Sequence, residues 1–125
     1  MQFLQTPRAQ RLFFWLFWAV VLLSVTMAFL PKPPAMPTDR FGDKVAHILA
    51  FSAMAGLAAL AYPQASRWKV IERLSFLGAI IEVVQSIPVL HRQCDVRDWI
   101  ADTLAVVVVT ALAAIILRLP VASAQ

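Results

Sequence analysis

The chain has 125 residues, of which 61% are hydrophobic and only 14% charged, with a mean hydropathy of +0.75. Soluble domains average roughly 45–50% apolar and 25% charged, so a water-soluble globule is excluded and an integral membrane protein is expected. The net charge of +4 and pI near 10 come from cations scattered through short loops. That pattern lacks the basic stripe of a nucleic-acid binder and suits membrane lipids, so no nucleic-acid partner is expected.

The first predicted element is an apolar run over residues 12–30, uninterrupted by charge and preceded by Arg8 and Arg11. Phe13, Phe14, Trp15, Phe17 and Trp18 crowd its first half, as aromatics do at a membrane interface. Its length exceeds the apolar core of a signal peptide, about 7–15 residues, and no clear small-residue cleavage site follows, so a retained anchor is expected. Pro31, Pro33, Pro34 and Pro37 then forbid helix continuation.

A second span is predicted over 44–62. It is rich in small residues, Ala46, Ala50, Ala53, Ala55, Gly56, Ala58, Ala59 and Ala61, which let membrane helices approach closely within one chain or between two copies. A homo-oligomer is therefore one expected use of this face. Asp43 is placed to cap its start, with Lys44 beside it and His47 about one turn further in. A basic turn with Arg67, Trp68 and Lys69 leads to a third span over 70–87. Near its end Glu82 and Gln85, three apart, share a face before Pro88 stops the helix. The next loop holds His91, Arg92, Cys94 and Asp95. A fourth span follows over 98–117, in which Asp98 and Asp102, four apart, project from one face. The expected fold is an all-α membrane protein, a four-transmembrane-helix bundle forming one domain over residues 1–125.

Four spans place both termini and the second loop on one side of the membrane, and loops one and three on the other. Asp43, Lys44, His47, Glu82, Gln85, Arg92, Asp98 and Asp102 then fall at one membrane level. Arg8, Arg11, Arg67, Lys69, Arg73 and Arg118 lie on the terminal side, against Lys32, Arg40, Lys44, Arg92 and Arg97. The cations preceding the first span favour cytoplasmic termini and a polar cluster facing outward.

The ordered set Asp43-Lys44-x-x-His47-x-x-x-Phe51, Gly78-x-x-x-Glu82-x-x-Gln85 and Arg92-x-x-Asp95-x-x-Asp98-x-x-x-Asp102 resembles the VanZ-like family of small bacterial membrane proteins. The resemblance covers roughly residues 43–105. Asp102 stands where many members have Asn, and Ala105 where many have Gly. The resemblance implies a multi-pass protein of the bacterial inner membrane and cell envelope; the founding member of the family is linked to teicoplanin resistance in glycopeptide-resistance clusters.

Three readings of the polar residues follow. They can tie helices together by caps and interhelical hydrogen bonds. They can bind the head group of a lipid or another envelope ligand, with Arg92 and Arg97 meeting phosphate. They can serve acid–base chemistry, since paired carboxylates with a histidine form a legitimate set. No nucleophile motif supports an enzyme. His47, Glu82, Asp98 and Asp102 offer ligands suited to a divalent metal, but the sequence has no HExxH, and the lone Cys94 rules out CxxC. Neither a cofactor nor a metal is assigned from sequence.

Overall fold

The computed structural model describes residues 2–30, 43–87 and 96–117. Four helices account for nearly all of them: α1 Pro7–Phe29, α2 Asp43–Ala61, α3 Arg67–Gln85 and α4 Val96–Leu117, preceded by a single 3-10 turn at Gln2–Gln5. The protein is an all-α four-helix bundle. Arg92, Cys94 and Asp95 lie outside the described residues, as do the side chains of Asp43 and Lys44.

Local chemistry sets the helix ends. α1 starts five residues before the apolar run because the Thr6 hydroxyl accepts a hydrogen bond from the Ala9 amide at 3.2 Å and Pro7 occupies the first turn. It gives way at Leu30, which is extended, as the residue before a proline prefers. α3 begins at Arg67, three residues before the expected span, and closes at Ser86, whose amide donates to the Glu82 carbonyl at 3.1 Å. α4 begins at Val96, two residues early, so Asp98 falls in its first turn, where a carboxylate suits the helix dipole.

α2 is the central helix, packed most extensively on α4 and α1, while α4 also packs along α3. Its small side chains allow this. Ala55 and Ala59 are wholly enclosed, with Phe51, Met54 and Ala58 beside them, and Ile81, Leu74 and Val106 complete the core. An aromatic cluster pins α1 to the end of α2: the Phe14 and Phe17 rings lie 5.9 and 6.0 Å from Tyr62, and the Trp18 indole donates to the Tyr62 hydroxyl at 2.8 Å.

Large apolar side chains cover the outside of every helix, including Trp15 and Leu22 on α1, Leu49 on α2, Phe76 and Val83 on α3, and Leu104 and Ile115 on α4. α1 and α4 are long and apolar enough to cross a membrane, and Val45–Ala61 within α2 is a shorter apolar helix.

The turn between α2 and α3 rests on Arg67. Although it sits at the start of a basic turn, it is 2% exposed. Its Nε donates to the Ala65 carbonyl at 3.1 Å, and Nη2 donates to the carbonyls of Tyr62 at 2.5 Å and Ala65 at 2.6 Å. The guanidinium thus adds donors to two carbonyls just past the end of α2, of which that of Tyr62 also accepts from the Ala65 amide at 3.1 Å.

Candidate functional site

Three helices each carry one ionisable side chain into the interior at the same end of the bundle. His47 lies one turn inside the start of α2, Glu82 about one turn before the end of α3, and Asp102 less than two turns into α4. At 1.5 Å per residue, these depths are about 5–9 Å from the respective helix ends. A nitrogen of His47 and carboxylate oxygens of Glu82 and Asp102 lie within 4.8 Å of one another. Glu82 is 5% exposed and Asp102 is completely buried, while the His47 side chain retains 13% exposure.

His47 Nδ1 donates to Asp102 Oδ2 at 3.1 Å, a direct link between α2 and α4. That bond orients the imidazole. The other oxygen, Asp102 Oδ1, is buried and has no hydrogen-bond partner among the described residues. A carboxylate oxygen in that position costs free energy unless something meets it.

The surrounding residues position the carboxylates. Gly78 lies where α3 faces α4; a Cβ there would come within 3.3 Å of Trp99 Cδ1, 3.5 Å of Phe51 Cζ and 3.6 Å of Asp102 Oδ2. Its lack of a side chain lets Asp102 and Trp99 lie against the α3 backbone. Trp99 Nε1 donates to the Ser75 carbonyl at 2.9 Å, and the Ser75 and Thr103 hydroxyls are 2.9 Å apart. These contacts fix the rotation of α4 that turns Asp102 inward.

The sequence-predicted residues therefore divide. His47, Glu82 and Asp102 come together. Gln85 serves a different purpose: it is buried, and its amide donates to the Ala28 carbonyl at 3.1 Å, tying α3 to the last turn of α1. Asp98 is half-buried in the first turn of α4, one turn before Asp102. Asp43 and Lys44 stand at the start of α2, and Arg92 is outside the described residues. Trp99, Ser75 and Thr103 were not singled out from sequence. Each is an ordinary residue for a membrane helix, and only its partner gives it a role.

Compared with family models, curated proteins and solved structures, the chain gives no match.

Proposed function

We propose that the chain is a VanZ-like, four-span protein of the bacterial inner membrane with cytoplasmic termini. We further propose that the His47–Glu82–Asp102 group is the seat of its function. In this reading the group receives positive charge at the outer membrane level, either a cation or the positively charged part of an envelope lipid's head group.

The observation that carries this reading is Asp102. Its carboxylate is 0% exposed within a helix apolar enough to cross a membrane, and it engages His47 through only one oxygen. Ionisable groups inside membrane segments are expensive, by about 2.5–3.5 kcal/mol on insertion scales, and mark functional sites by default. A second carboxylate within 4.8 Å raises that cost further.

The distribution of charge on α3 supports its membrane placement. Lys69, Glu72 and Arg73 are exposed but confined to its first two turns, where side chains reach an interface. Arg67 and Glu82 are turned inward, and the outward face of the middle and far end carries Phe76, Ile80 and Val83. α3, which is less apolar than α1 and α4, thus owes its polar residues to buried and interfacial positions rather than to a face that needs water.

Two experiments test the proposal. Reporter fusions after Gln64 and at the C-terminus should be active only with a cytoplasmic reporter; activity of a periplasmic reporter at either point would invert the orientation. Chromosomal Glu82→Gln and Asp102→Asn strains should accumulate normal amounts of protein yet show the envelope-stress profile of the deletion strain. Wild-type behaviour of both strains at normal accumulation would leave the group a purely structural tie.

A further inference from the structure

We infer that His47, Glu82 and Asp102 form a binding site for one divalent transition-metal ion of the zinc or manganese kind, held between α2, α3 and α4. The inference rests on the reading of this group as a ligand site and specifies the positive charge it receives.

Charge balance is the first argument. A neutral imidazole and two carboxylates carry a formal charge of −2, and one dication cancels it. Within a helical bundle, where screening is weak, a dication is drawn to such a donor set more strongly than a single positive charge. The second argument is the orphaned oxygen. Asp102 Oδ2 holds the imidazole in place at 3.1 Å, and Oδ1, fully buried, has no hydrogen-bond partner among the described residues. An oxygen in that state is poised as a ligand.

Geometry agrees. Metal–nitrogen and metal–oxygen bonds of about 2.0–2.2 Å set ligand atoms about 3.3–3.6 Å apart around a tetrahedral ion. One donor atom of each of the three side chains lies within 4.8 Å of the other two, so side-chain movement of about an ångström brings the group onto one ion.

The donor set selects the ion. Calcium takes six to eight oxygens, and magnesium prefers carboxylates and water, so neither exploits an imidazole. One nitrogen with two carboxylate oxygens suits zinc or manganese. Three protein ligands leave coordination positions for water or for an anionic group of an envelope ligand, as in open rather than closed metal sites. The exposed part of His47 gives the ion a way in.

The test uses the full chain, purified in detergent and stripped with a chelator that is then removed. Calorimetric titration with Zn²⁺ and separately with Mn²⁺ should show one ion per chain for at least one of them, and a rise in thermal unfolding temperature that saturates at the same ratio. His47→Ala, Glu82→Gln and Asp102→Asn, each checked for helicity, should weaken binding by at least about tenfold. His91→Ala and Cys94→Ser should leave it unchanged, which excludes an adventitious loop site. Titration with Co²⁺ should give a visible absorption band in the wild-type chain that is lost in Glu82→Gln.

Absence of stoichiometric binding of either ion, or binding that follows His91 and Cys94 instead of the buried group, overturns the inference. If no ion binds but Asp102→Asn still abolishes function at normal accumulation, the metal is wrong and the ligand-site reading stands. If no ion binds and the variants are functionally silent, both fail.

Discussion

Asp102→Asn separates a structural carboxylate from a functional one, because the two roles predict opposite signs. Asparagine has nearly the same shape, and its carbonyl oxygen can still accept from His47 Nδ1, now 3.1 Å from Asp102 Oδ2. Exchanging a charged acceptor for a neutral one forfeits about 1–2 kcal/mol. Against this, a carboxylate with no exposure carries a desolvation penalty of several kcal/mol, and Oδ1 has no hydrogen-bond partner among the described residues to offset its share. The balance favours the variant by about 1–3 kcal/mol in metal-free protein. Thermal unfolding in detergent, followed by the fluorescence of the four tryptophans, should therefore show Asp102→Asn at or several degrees above the wild type. A functional site that costs stability behaves this way. A loss of more than about 2 kcal/mol with helicity preserved would refute the reasoning, because the charge would then be holding helices together.

Substitutions at three further positions probe the frame around the site. Gly78→Val should cost about 1–3 kcal/mol, since even its Cβ would meet Trp99 at 3.3 Å; Gly78→Ala should be milder, and equal stability of all three forms in thermal unfolding would contradict the close approach of α3 and α4. Gln85→Leu should cost about 1–2 kcal/mol by leaving the Ala28 carbonyl in the last turn of α1 without its donor, while leaving ion binding intact; loss of ion binding in calorimetry would return Gln85 to the site. Arg67→Ala should lower stability by about 2–4 kcal/mol through the loss of its three hydrogen bonds to the α2–α3 turn. Arg67→Lys should recover less than half of that, because an ammonium cannot reproduce the guanidinium fork; full recovery in the same assay would show that charge alone matters.

Much of the bundle was legible in the chain because hydrophobic runs and helix-ending residues are local signals. The length and apolarity of α1 and α4, the proline after Leu30 and the alanine face of α2 could each be read without knowing any contact. The helix starts were less legible: Thr6 and Pro7 begin α1 within a polar segment, where capping outweighs hydropathy. Part of the site was also legible, because antiparallel connection of helices brings the start of α2, the end of α3 and the start of α4 to one level.

Sequence alone determined that His47, Glu82 and Asp102 share a level, since helix length and chain reversal fix height. Which of the polar residues meet was decided by the rotation of each helix about its axis, which tertiary packing sets. Gln85, one turn from Glu82 on a shared face, turns to the Ala28 carbonyl, while Glu82 turns toward His47 and Asp102. Likewise Arg67 reads as a loop cation in the chain, yet folds inward and donates to the carbonyls of Tyr62 and Ala65. Height along a helix follows from counting residues; azimuth depends on the small side chains, such as Gly78, that allow the neighbouring helix to approach.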